Sequence, residues 1–263
     1  LLTVELDGEP TVEMGVVREK IALHQGAMVG DGPNKHQQAL RFGEESWIEL
    51  PAINLDSDTA FSIAMWIYTP KEAGRFVVAG QNDPDDDSRG WSIGIASRQL
   101  SFKMTGEKIV GKEKPSELQI SPINTKRMEP GLWTHVTITY DGSGERAGLR
   151  LFRNGATVEE QGSEFFTRID GSILTDRPLY LGKGVTNFRG ESRVSHFSGG
   201  AIADLRIFDR QISVQEAKVI SLWSVIRSTR DKELKELSDK ERKALRLYYL
   251  SVKDEENRRL LTH

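Results

Sequence analysis

The sequence predicts an all-β, two-sheet antiparallel sandwich with a short α-helical extension at its C-terminal end, and three observations carry that reading. Many short segments alternate apolar and polar residues at period two, turn residues punctuate them at regular spacing, and helix-capping signals are confined to the chain after residue 212. Residues 131–155 are the clearest case. Trp133-Thr134-His135-Val136-Thr137-Ile138-Thr139-Tyr140 places Val136, Ile138 and Tyr140 on one face and His135, Thr137 and Thr139 on the other, the pattern of a half-buried strand. Leu149-Arg150-Leu151-Phe152-Arg153 alternates again and runs into Asn154-Gly155, whose tolerance of positive φ closes a tight hairpin.

The other elements follow in order. Residues 1–6 alternate in part and read as an edge strand, Val16-Val17 and Ile21-Ala22-Leu23 as brief strands, and residues 30–34 as a loop. Residues 39–43 and 47–51 form two short strands around a polar turn. Phe61, Ile63, Met65 and Ile67 share one face of the strongest β signal in the N-terminal half. Residues 75–80 make another strand, 81–89 an acidic loop, and 90–95 and 99–104 resume the meander. Residues 106–130 read as a long irregular excursion, whereas 157–158, 178–182 and 200–208 supply further strands. Ser213-Val214-Gln215-Glu216 is a capping box ahead of a helical run through Arg227. A second box, Ser238-Asp239-Lys240-Glu241, precedes Ala244, Leu245, Tyr248, Tyr249 and Val252, which form one apolar stripe at helical spacing. The sandwich is thus expected over residues 1–222 and the helical extension over 223–263, with a joint near 228–231. The stripe either packs back onto its own sandwich or docks onto a neighbouring domain of the parent chain, the first being the simpler reading.

With 263 residues and 37% apolar content the chain can bury one sizeable core. A formal net charge of -3 provides no basic field and speaks against a nucleic-acid partner. Absence of cysteine excludes disulfides, thiolate metal sites, a Cys nucleophile and covalent haem attachment. No apolar run approaches the roughly 18 residues of a membrane span. The opening Leu1-Leu2, without Met or a signal-like segment, is what a piece of a longer protein would show.

Taken together, residues 39–43, 61–67, 131–142, 151–155, 179–182 and 202–216 resemble the laminin-G-like modules of the concanavalin A-like lectin/glucanase superfamily, in the family's order. The resemblance covers about residues 39–220 and implies a jelly-roll sandwich. One departure is Ala203-Asp204, where the family commonly has two acidic residues. Gly90-Trp91, the turn at 140–144 leading to Gly148-Leu149, and Leu245-Arg246-Leu247-Tyr248-Tyr249-Leu250 resemble more narrowly the module found in large planctomycete proteins that also carry a cytochrome c-like domain. That resemblance implies an exported, extracytoplasmic (periplasmic or cell-surface) multidomain parent. It hands over no catalytic residues, and it implies a non-catalytic binding or adhesion module whose partner is a glycan or a protein surface. Neighbouring domains of the parent chain are further expected partners, and a purely structural spacer is one alternative.

Glycoside hydrolysis is the other. Glu5, Asp7 and Glu9 alternate as the carboxylates of retaining glucanases in this superfamily do, and strand spacing of roughly 6.5–7 Å permits the pairing such chemistry needs. Their place at the edge of the chain, with Gly8 between them, favours a solvated strand and turn instead. Asp83, Asp85 and Asp87 alternate as in an oxygen-rich Ca²⁺ loop, but Ser88 and Gly94 stand where an EF-hand has its Gly and bidentate Glu. A hydrated acidic loop is the preferred reading, and a Ca²⁺ site at the sandwich rim, which the resemblance to laminin-G-like modules implies, is the only cofactor expectation.

His135 shares its face with two threonines and reads as a hydrogen-bonded surface or sheet-face histidine; His24, His36, His196 and His263 are scattered singly. Trp47, Trp66, Trp91 and Trp133 sit within strands, where core packing is commoner than a sugar platform. Gly182-Lys183-Gly184 is too short for a phosphate loop, and Lys183, Arg189 and Arg193 in the polar stretch 182–199 read as solvated cations.

Overall fold

A computed structural model describes residues 2–6, 10–15, 17–35, 37–72, 74–122, 127–161, 166–188, 191–230 and 232–254. Asp7, Gly8, Glu9, Val16, His36, Arg189 and His263, each singled out above, lie outside the described residues, as does the end of the helical extension from residue 255 onward.

In chain order the strands begin with β1 (Leu2–Glu5), β2 (Thr11–Met14), β3 (Val17–Lys20), β4 (Ala22–His24), β5 (Met28–Asp31), β6 (Gln38–Arg41) and β7 (Trp47–Leu50). There follow β8 (Phe61–Tyr68), β9 (Arg75–Asp83), β10 (Arg89–Ala96), β11 (Gln99–Thr105), β12 (Glu117–Pro122) and β13 (Trp133–Tyr140). The last are β14 (Arg150–Arg153), β15 (Ala156–Thr157), β16 (Glu160–Gln161), β17 (Leu179–Leu181), β18 (Lys183–Phe188), β19 (Glu191–His196) and β20 (Ala201–Phe208).

Two antiparallel sheets form the sandwich. One runs β15-β14-β13-β8-β20-β1-β2-β3, with β6 also on β20 and β5 on β6; the other runs β16-β12-β11-β10-β9-β17-β7-β4. A separate hairpin, β18-β19, completes the strands among the described residues. Chain-distant pairings such as β8 with β13 and β20 give the jelly-roll its non-local order. The period-two alternation turns one side of each strand inward. Phe61, Ile63, Met65 and Ile67 of β8 and Val136, Ile138 and Tyr140 of β13 meet Ile93, Phe102, Leu118 and Leu179 of the opposite sheet. All are at most 1% exposed. The Tyr140 hydroxyl donates to the Ser57 carbonyl at 2.6 Å and accepts from Gly144 N–H at 2.6 Å, so this core ring keeps its polar tip satisfied.

The structure corrects several expectations. Residues 106–130 contain β12, because Leu118 and Ile120 alternate inward within the polar excursion. The polar stretch 182–199 is the β18-β19 hairpin rather than a loop, and β9 and β10 leave only residues 84–88 as the acidic turn. The helical run beyond Ser213 divides into α1 (Val214–Ser221) and α2 (Trp223–Arg227), broken at Leu222. The second box begins α3 (Asp239–Tyr248), which widens into a π-turn at Tyr249–Lys253. Both Ser213 and Ser238 accept from the N–H three residues on, as the sequence predicts.

Helical packing decides the outer side of the first sheet. Ala217 and Ile220 of α1 pack on Ala64, Phe152 and Ile212. Ala244, Leu245 and Tyr248 then pack on Val219, Trp223 and Ile226, so the α3 stripe reaches the sandwich through α1 and α2. Tyr249 is 59% exposed and lies outside that contact. Helix α1 comes down on the predicted Asn154-Gly155 turn, where a Cβ on Gly155 would stand 2.8 Å from Lys218 Cα. Both turn residues have positive φ, 50° at Asn154 and 77° at Gly155, as a tight hairpin turn requires. Strand β13 is therefore buried on both faces: His135, Thr137 and Thr139, expected on an open side, are at most 1% exposed.

Candidate functional site

The outer face of the second sheet carries the candidate site. Its register aligns one continuous row across seven strands: Ala22, Glu49, Tyr180, Gly80, Ser92, Lys103 and Gln119. Flanking rows bring Asn82, Gly90 and Thr105 to one side and Val77, Gly94 and Ser101 to the other. Each outward residue follows from an inward apolar neighbour. Trp91, Ile93 and Ile95 of β10 fill the core, so Ser92 and Gly94 face out; Leu100, Phe102 and Met104 of β11 do the same for Ser101 and Lys103.

These small residues leave a groove of about 240 Å³, lined by Asn82, Ser92, Gly94, Ser101, Lys103 and Gln119 among others. Hairpin β18-β19 leans over β9 to wall one side. Gly184 lies so close that a Cβ there would stand 2.5 Å from Val77 Cγ1, the Ser195 hydroxyl donates to the Arg75 carbonyl at 2.8 Å, and Val185 lines the groove. Close approach also governs the floor, where a Cβ on Gly94 would stand 3.2 Å from the Phe76 carbonyl oxygen. Among the described residues its polar lining is hydroxyl, amide and cation, without a carboxylate, beside apolar Phe76, Val77 and Val185. Lys103 pairs with Glu117 just outside it.

The tryptophans divide by environment. Trp91 is in the core at 3% exposure. Trp47 is capped on its ring by His24, stacked at 4.0 Å and 8°, and by the Lys183 ammonium at 4.3 Å, with Tyr180 at its edge. Its faces are thus occupied, and Lys183, expected to be merely solvated, is held by that cation-π contact. Trp66 and Trp133 pack with Tyr68 and three alanines on the outer side of the first sheet.

Asp83, Asp85 and Asp87 lie at the turn between β9 and β10. Arg177 reaches two of them, Asp83 at 2.9 Å and Asp85 at 2.6 Å, and its hydrogen bond holds the Asp83 carboxyl below the usual range. Asp87 adopts positive φ, 48°. Among the described residues no group of three or more His, Asp or Glu is gathered to hold a metal ion. Glu5, at the end of β1, is bound by Arg18 at 3.0 Å. It belongs to the first sheet, away from the groove.

His135 lies edge-on to Trp66, ring centroids 5.2 Å apart, with neither ring nitrogen hydrogen-bonded. Burial, aided by the charge of Arg206, pushes it down to about 3. Nearby Asp204 sits at a bulge of β20 with φ 51°, and burial raises its carboxyl even though Arg206 binds it at 2.8 Å.

The groove residues were not singled out by sequence reasoning, yet a signal was present: Ser92 and Gly94 alternate with Trp91, Ile93 and Ile95, and Ser101 and Lys103 with Leu100, Phe102 and Met104. What the alternation lacks is the identity of the sheet that stays open.

A family model of the concanavalin A-like lectin/glucanase superfamily, of laminin-G type, matches residues 42–218, the greater part of the chain and the region with both sheets. The chain belongs to the concanavalin A-like lectin/glucanase superfamily. No curated protein matches it in sequence. Among solved structures similar to this superfamily member is the binding domain of a paraclostridial mosquitocidal protein, with TM-score 0.61, 16% identity, and coverage of 85% of this chain and 52% of that one. Two more are binding domains of botulinum neurotoxin DC, one in complex with SialylT and one with rat synaptotagmin II. Each has TM-score 0.53 and 16% identity over 84% of this chain and 50% of the toxin chain. The chain thus spans about half the length of these toxin domains, and the likeness is one of fold. Like them it is a lectin-type sandwich, and no helix among its described residues is long and apolar enough to cross a membrane.

Proposed function

We propose that this superfamily member is a non-catalytic binding module of a larger exported protein, and that it grips a glycan in the groove on the outer face of the second sheet. The observation that carries this is the groove's composition: Ser92, Ser101, Asn82, Gln119 and Lys103 converge over a floor kept low by Gly94. A sugar offers alternating hydroxyl donors and acceptors that such groups can match, and glycines let its ring approach the backbone. At about 240 Å³ the groove is smaller than the roughly 300–1,000 Å³ of enclosing small-molecule sites, which suits part of a longer chain lying across it. Binding-domain structures of the same fold, one complexed with SialylT, support recognition as the role.

Hydrolysis is the weaker reading. Glycosidases position two carboxylates about the scissile bond. The groove has none among the described residues, and Glu5 is paired with Arg18. A glycan array followed by calorimetry tests the proposal. A retained oligosaccharide is expected, with affinity reduced at least about tenfold, or ~1.4 kcal/mol, by Ser92→Leu, which fills the groove, and by Gln119→Ala. If no glycan is retained, or both variants bind like the parent, the groove reading fails and the spacer alternative takes its place.

A further inference from the structure

A second cavity lies on the opposite side of the sandwich, where the helical layer does not close fully over the first sheet. Its volume is about 650 Å³, within the range of small-molecule sites. Trp66 of β8 and Asn154 of the β14-β15 turn line it from the sandwich, Leu222 and Val225 supply an apolar wall, and Ser224 of α2 faces them. Lys35 and Lys240 stand at the cavity as well.

The polar groups of this cavity are unevenly matched. Ser224 is 7% exposed and brings a hydroxyl to the lining. Trp66 Nε1, in the wall, is buried without an acceptor. Asn154 spends its side-chain oxygen on the His135 N–H at 2.9 Å, which leaves its NH₂ as a donor. The one carboxylate, Glu241, is already saturated: Lys232 binds one oxygen at 2.5 Å and Ser238 donates to the other from both N–H and hydroxyl. Lys232 thereby cancels its charge, while Lys35 and Lys240 form no ion pair among the described residues. The N-terminus of α3, the positive end of its dipole, borders the same space through Ser238 and Lys240. Among the described residues positive charge is in excess at this cavity.

We propose that this cavity binds a small sugar acid, a compact polar ring bearing a carboxylate or a phosphate. The oxyanion meets Lys35, Lys240 and the Ser224 hydroxyl, and the ring lies against Trp66, Leu222 and Val225. Because the walls come from the sheet on one side and from α2 and α3 on the other, the ligand ties the helical layer to the sandwich and stabilises their contact by mass action.

The test follows the indole N–H resonance of Trp66 in the ¹⁵N-labelled chain, identified by its loss in Trp66→Phe. Glucuronate, a hexose monophosphate, inorganic phosphate and glucose are added in separate titrations. Glucuronate or the hexose phosphate is expected to move that resonance saturably and glucose to leave it in place; whichever acid binds more tightly identifies the oxyanion. Ser224→Ala and the Lys35→Gln/Lys240→Gln pair are each expected to weaken the midpoint about tenfold or more. The proposal is overturned if tens of millimolar of either sugar acid leaves the resonance unmoved, if glucose moves it equally, or if the lysine pair binds with an unchanged midpoint. A glycan held in the groove of the other sheet would not move this indole, so the two sites are read out separately.

Discussion

His135 makes a quantitative test of the buried outer face of the first sheet. The side chain is 0% exposed, its ring nitrogens are unpartnered, and Arg206 is the charged group that bears on it. Its imidazole therefore stays neutral in the folded chain down to about pH 3, against an ordinary value of 6.5 when unfolded. Between those values the unfolded chain binds a proton that the folded chain refuses, so stability is fully present above pH 6.5 and falls as pH drops toward 3. From pH 7 to pH 5 linkage gives a loss of about 2 kcal/mol from this one residue. Replacing it by leucine removes two unmet polar atoms together with the titration, so His135→Leu is expected to be near neutral or stabilising at pH 7 and to flatten the pH dependence. Urea unfolding of parent and variant at pH 7, 6 and 5 measures this directly, and carboxylate titrations common to both cancel in the difference. Parallel stability curves for the two chains would refute the reasoning, since they would mean that His135 protonates as readily folded as unfolded.

Three further outcomes are expected. Gly155→Ala forces positive φ on a Cβ that would stand 2.5 Å from Ser221 Oγ and 2.8 Å from Lys218 Cα. A loss of about 2–3 kcal/mol in denaturant unfolding is expected, with α1 pushed off the sheet, and an unchanged midpoint would contradict the close packing of helix on turn. Tyr140→Phe removes the hydroxyl shared by the Ser57 carbonyl and Gly144 N–H, for a cost of about 1–3 kcal/mol read from the urea midpoint. At the acidic turn, Ca²⁺ must compete with Arg177 for Asp83 and Asp85. Calorimetry is expected to register tighter Ca²⁺ binding in Arg177→Gln than in the parent, and equal heats would mean that the guanidinium does not guard those carboxylates.

Much of this fold is legible in local patterns because local physics decides it. The alternation in β8 and β13, the Asn154-Gly155 turn and the capping boxes at Ser213 and Ser238 are each read from a handful of neighbouring residues and appear as read. The same alternation carries β12 inside a stretch that looks irregular, where only Leu118 and Ile120 mark the inward side. Hairpin β18-β19 carries few apolar residues in sequence, Val185, Phe188 and Val194, which is why it resembles a loop. The partner of the acidic turn was less accessible. Arg177 meets Asp85 across 92 residues, and no spacing rule connects them.

By itself the sequence determined which residues of each strand face inward, where the chain turns and where the helices begin, since period-two burial, positive φ and N-terminal capping are local properties. Only tertiary structure decided which outward faces remain open. His135, Thr137 and Thr139 look as polar in sequence as Ser92 and Lys103, yet α1 descends on the first sheet and leaves the second to solvent. The physical reason is that a helix chooses its sheet by long-range apolar contact, here Ala217 and Ile220 against Ala64 and Phe152, and that choice divides the two outer faces into a buried polar layer and an open groove.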